Sequence, residues 1–119
     1  MYVLNVIVAL LLGVGFLMLG VGKIIGVKIM TEARQHLGLP SGLFKVIGGL
    51  EILGGAGVLV GLHDDLLIIG ILASVGLVGM TIGAASYHQK AGDVMKEWLP
   101  AVMMGSMAIF YVILRIATA

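Results

Sequence analysis

The sequence predicts an all-α integral membrane protein: a bundle of four transmembrane helices with a short interfacial helix between helices 1 and 2. Composition is the first observation behind this. Of 119 residues, 61% are hydrophobic and only 11% are charged. A soluble domain carries roughly 25% charged residues, so this chain cannot cover a water-facing surface. Four apolar runs, 3–26, 43–62, 66–87 and 99–117, are the second. Each is long enough to cross a ~30 Å hydrocarbon core, which takes about 20 helical residues. The third is the lack of any period-two alternation in these runs. In lipid a spanning segment must satisfy its own backbone hydrogen bonds, and non-alternating runs do so as helices. At this length 1–119 reads as one domain.

The first span starts after Met1-Tyr2, with no positive n-region of a secretory signal, and reads as retained. In the connection 27–42, Ile29, Met30, Ala33 and Leu37 recur at helical spacing among Lys28, Glu32, Arg34, Gln35 and His36. That pattern predicts the interfacial helix. Gly38 ends it, and Ser41 is placed to cap the second span. The next link is only His63-Asp64-Asp65, so the second and third spans are antiparallel neighbours, with an aspartate as cap. The link 88–98 is polar. Pro100 falls near the start of the fourth span, where its missing N–H costs little. Tyr2, Tyr87 and Trp98 suit the membrane interface. Met103, Met104 and Met107 read as core filler.

Charge excludes several functions. The net charge is +1 and no basic cluster exists, so the partner is the lipid bilayer and not nucleic acid. The absence of cysteine removes dithiol redox chemistry, thiolate metal sites and iron–sulfur clusters. His36, His63 and His88 lie in or beside links, which excludes a haem held between two histidines at depth, and no histidine–carboxylate spacing reads as a metal site. Four crossings put both termini on one side. The other side carries Lys23, Lys28, Arg34, Lys45, Lys90 and Lys96 against Arg115 alone, which places links 27–42 and 88–98 in the cytoplasm.

Glu51 is the residue that needs explaining. It lies eight residues into its run, about 12 Å deep at 1.5 Å per residue. A charge in hydrocarbon costs about 2.5–3.5 kcal/mol on insertion scales, and one that persists has a partner or a function. Lys23 and His88 sit at the same end of neighbouring spans. Each of the three projects from a face of small residues: Gly48 and Gly54/Gly55 around Glu51, Gly20 and Gly26 around Lys23, Ala84 and Ala85 before His88. Either the helices close on a buried Lys23–Glu51 pair, with Lys23 also free to snorkel outward, or the small residues leave a cavity lined by charge. Gly92-Asp93 follows His88, Asp93 as a cap or as a partner of that histidine. The pairs Gly22/Gly26, Gly57/Gly61, Gly70/Ser74 and Gly79/Gly83 predict close helix packing, within the bundle or in a homo-oligomer.

Three segments in order resemble the DoxX-like family of small four-helix bacterial membrane proteins. They are Gly20-Val21-Gly22-Lys23, Gly48-Gly49-Leu50-Glu51-Ile52-Leu53-Gly54, and Gly83-Ala84-Ala85-Ser86-Tyr87-His88 with Gly92-Asp93. The resemblance spans nearly the whole chain. It implies location in the bacterial cytoplasmic membrane and a polar cluster of Lys23, Glu51, His88 and Asp93. It also implies association with quinone or with a membrane oxidoreductase or other protein subunit. With no cysteine or haem ligation, the chain would not transfer electrons alone. The expected function is an accessory subunit or quinone-like ligand binder. The alternatives are a proton-coupled small-molecule transporter, against which the acid-free first span counts, and a scaffold without ligand.

Overall fold

The helices that the apolar runs predict are present, and two of the four, α4 and α5, outlast the runs that mark them. The computed structural model describes residues 2–119. It contains α1 (Tyr2–Ile25), α2 (Lys28–Leu37), α3 (Ser41–Val60), α4 (Leu67–Lys90) and α5 (Met95–Ala117), with one 3-10 turn at Asp64–Leu66. α1, α3, α5 and the segment Asp64–Lys90 are long and apolar enough to cross a membrane. The long axis is 42 Å, matching a bilayer of about 40–45 Å including headgroups. α5 begins four residues before its apolar run and α4 continues three beyond it. Hydropathy marks where lipid ends, whereas a helix continues into the interface as long as its backbone bonds are made. Pro100 consequently lies five residues inside α5, beyond the unbonded first turn.

The four spans form a ring in which α1 packs on α3, α3 on α4, α4 on α5, and α5 more thinly on α1. Glycines set the two closest seams. At Gly13, Gly48 and Gly55 a Cβ would stand 2.6–2.9 Å from atoms of the facing helix, mostly backbone. On the α3–α4 seam Gly57 faces Ala73 and Gly61 faces Gly70. The predicted pairs Gly57/Gly61 and Gly70/Ser74 are therefore packed. Gly79 and Gly83 have nothing within 4 Å.

The half of the bundle carrying the termini is solid. Val8, Leu12, Val58, Leu77, Tyr111 and Leu114 interlock there. Their polar neighbours are bonded across helices: Tyr111 donates its hydroxyl to the Val58 carbonyl (2.8 Å) and Ser74 to the Ala108 carbonyl (2.7 Å). Ser74→Ala and Tyr111→Phe are each expected to cost about 0.6–1.5 kcal/mol in detergent-titrated unfolding, the range for such bonds in membranes.

Local caps differ from expectation. Pro40, in extended conformation, precedes α3 and makes no side-chain cap; Ser41 is already helical. Neither aspartate caps α4. His63 instead accepts from the Asp65 N–H, and Asp64 lies 3.5 Å from Arg115. Gly38 ends α2 as predicted, with φ of 71° and its N–H returned to the last turn.

Candidate functional site

Opposite the solid half, the five helices diverge around a cavity of about 420 Å³. That lies within the usual range for small-molecule sites, about 300–1,000 Å³. Lys23, Glu51 and His88 all line it. The rest of the wall is almost wholly apolar, with Phe16, Phe44 and Met104 at its floor and sides and Met30, Ala33 and Leu37 contributed by α2.

Glu51 is 5% exposed and stands at the middle of α3, deeper than the run 43–62 implied. Gly48 and Gly54 flank it on the same face because α1 and α4 approach α3 too closely there for any side chain. Lys23, three residues from the start of the α1–α2 turn, does not snorkel to the headgroups. Its ammonium lies over the Phe44 ring, 5.5 Å from the ring centre, and reaches Glu51 Oε1 at 2.5 Å. This is an ion pair without hydrogen-bond alignment, since Oε1 accepts no aligned bond and is sealed from solvent. Both expectations for the small-residue faces therefore hold in one structure: the glycines admit the ion pair, and a cavity remains beside it.

His88 comes from the last turn of α4. Gly92, at φ 78°, reverses the chain there, and the Asp93 N–H bonds back to the His88 carbonyl. This turn brings Asp93 Oδ2 to 2.6 Å from His88 Nδ1. Asp93 does not line the cavity; it stands behind His88. Its other oxygen meets His36 Nε2 of α2, also at 2.6 Å. A carboxylate only accepts, so both rings donate to it, and His88 keeps Nε2 as its uncommitted nitrogen. The bonds to His88 and then to His36 hold the Asp93 carboxyl below its free value of 3.8. A depressed folded-state pKa contributes stability that is complete above the free value and is lost as pH falls through the folded one. Asp93→Asn is therefore expected to lower stability most in the neutral range, where that contribution is complete, and to flatten the acid limb, so that the two proteins converge as pH falls below about 4. Thermal unfolding from pH 3 to 7 checks this.

The sequence did not reveal His36 as a partner, because 57 residues separate it from Asp93. Nor did it reveal the second polar cluster at the other end. There Arg115 is 4% exposed, donates to the Gly61 carbonyl at 3.0 Å and faces Asp64, and Asn5 donates to Thr118 at 3.1 Å. Arg115, which the sequence marks only as the one cation of the termini side, is turned inward to close the α3 carboxyl end. Among the described residues no group of three or more histidine, cysteine or acidic side chains is placed to hold a metal.

The site is thus built from the three segments that carry the family resemblance: the end of α1, the middle of α3, and the end of α4 with its glycine turn. Neither the curated proteins nor the solved structures give a match to this chain. A family model does match, over residues 7–111, which includes all three segments. On that match the chain belongs to the DoxX-like family, as a multi-pass membrane protein.

Proposed function

We propose that this chain, acting as a single domain, binds a small quinone-like ligand in the cavity beside Lys23, Glu51 and His88, as an accessory protein to a membrane enzyme. The cavity itself carries the reading. A pure scaffold would gain most by filling that volume, since each unfilled methyl-sized space costs about 1 kcal/mol. Instead about 420 Å³ is left against a buried ion pair. Three ionisable side chains on an otherwise apolar wall suit a headgroup with a few polar atoms.

The solid core of the termini half favours binding over transport, because the cavity meets packed side chains there and no polar path continues. The 2.5 Å contact between Lys23 and Glu51 favours the second reading, a scaffold whose ion pair fixes helix register. By the positive-inside rule we place links 27–42 and 88–98, and with them the cavity, on the cytoplasmic side of the bacterial inner membrane.

Native mass spectrometry with lipid extraction, on wild type and Glu51→Gln side by side, tests the proposal. The expected result is a co-purifying small molecule that the variant loses. Clean protein in both cases would support the scaffold.

A further inference from the structure

The polar groups of the cavity have a defined hydrogen-bonding sense. Lys23 and Glu51 neutralise each other, and the Asp93 carboxylate backs His88. A lone charge brought against this largely apolar wall would carry a large desolvation cost. Glu51 Oε1 takes the Lys23 ammonium at 2.5 Å and is sealed from solvent. His88 has given its Nδ1 hydrogen to Asp93, and Thr81 has given its hydroxyl hydrogen to the Val78 carbonyl. His88 Nε2 and the Thr81 oxygen are uncommitted, and the Lys23 ammonium has N–H groups beyond the one facing Glu51, so the fitting headgroup both donates and accepts, as a hydroxyl does.

The cavity also has a side opening. α3 and α4 touch at Gly61 and Gly70, Gly57 and Ala73, and Gly54 and Leu77. Continuing that antiparallel register brings Leu50 opposite Thr81 and Ile47 opposite Ala84. Here the cavity reaches both helices: Ile47 and Leu50 of α3 and Thr81, Gly83 and Ala84 of α4 all line it. Leu50 and Ala84 both line the cavity and are both exposed, Leu50 by 50%. They stand nine residues from the start of α3 and six from the end of α4, about 9–14 Å inside the helix ends at 1.5 Å per residue. That depth is hydrocarbon. The aqueous mouth, by contrast, is covered by the Met30, Ala33 and Leu37 face of α2. That helix is anchored by His36 on Asp93 and by Arg34 on the carbonyl of the buried Leu39.

We infer that the ligand is an uncharged, hydroxyl-headed amphiphile that enters from the bilayer between α3 and α4, its head toward Glu51 and His88 and its tail left in the gap at Leu50 and Ala84. This rests on the reading of the cavity as a ligand site. α2 is a fixed cover on the water side and not the door.

The test uses the full chain in lipid nanodiscs and 4-decylphenol bearing a diazirine in its tail, photolysed and mapped by peptide mass. Label on the 47–50 and 80–84 segments is expected, displaced by unlabelled 4-decylphenol. Ala84→Trp and Leu50→Trp, plugging the gap from either side, should each cut it about tenfold, since a blocked route acts on association. Undiminished label in folded Trp variants overturns lateral entry, as does label on α2 that rises in Asp93→Asn. Should the Trp variants not fold, the mapped position in wild type decides alone. If wild type gives no displaceable label, the ligand reading itself falls, and the route with it.

Discussion

Lys23→Met is expected to destabilise the folded protein by about 3–5 kcal/mol, the cost of leaving one member of a buried ion pair without its partner. Glu51 is then stranded at the middle of α3, 5% exposed, with glycines around it and no other cation in the cavity wall. Glu51→Gln should cost less. The lysine it orphans sits near the end of α1, and its long stem can swing back to the headgroups, an escape that the shorter glutamate lacks. The double variant Lys23→Met with Glu51→Leu should recover most of the loss, because the attraction within a buried pair roughly offsets the cost of dehydrating it. Unfolding titrations in mixed micelles measure these proteins and Glu51→Leu alone, and the cycle of wild type, Lys23→Met, Glu51→Leu and their double variant isolates the pairwise term. Additive losses in the double variant would mean that the two side chains stabilise the bundle independently, against the 2.5 Å contact.

Gly55→Val is expected to be the most damaging substitution outside the ion pair. A Cβ there would stand 2.6 Å from the Gly13 carbonyl oxygen and 3.1 Å from the Leu17 nitrogen, both backbone atoms of α1. Flexible side chains can yield to such a methyl group, but a facing helix must move as a body. The expected loss is about 3 kcal/mol, the upper part of the range for overpacking. The same displacement would part Lys23 from Glu51, since both ride on this seam. Gly79→Ala is the control: its site is open, and the change should fall within about 0.5 kcal/mol. Equal losses at both sites would show that the glycines serve helix flexibility and not close approach.

These two expectations mark what was legible in the sequence. Spans, interfacial helix and the depth of Glu51 follow from hydropathy and from the cost of charge in lipid, which act on each segment separately. The α1–α3 seam was less visible. Gly13 and Gly20 on one helix, and Gly48 and Gly55 on the other, repeat at seven residues, two helical turns, and not at the four-residue spacing of the pairs that drew notice. Of those, Gly79/Gly83 looks identical in sequence yet faces open space, because nothing local says which side a neighbour occupies. Arg115 misled for a related reason. A cation near a span's end normally reaches outward, and only the arrival of Gly61 beside it turns it in. His36 could be placed on α2 but not against Asp93, since that contact exists only once α2 lies across the end of α4.

The division of the ion pair between α1 and α3 bears on how the chain enters the membrane in the first place. Spans emerge from the ribosome one after another, and each is weighed for release into lipid on its own hydrophobicity. The α3 helix reaches that decision with an acidic group at its centre, a handicap of about 2.5–3.5 kcal/mol on insertion scales. Its compensating cation has already been synthesised, on the segment just before it. Release as an antiparallel hairpin, zipped along Gly13–Gly55 and Gly20–Gly48, would offset that handicap. A chain deprived of Lys23 is therefore expected to insert α3 less efficiently than wild type, before any question of folding arises.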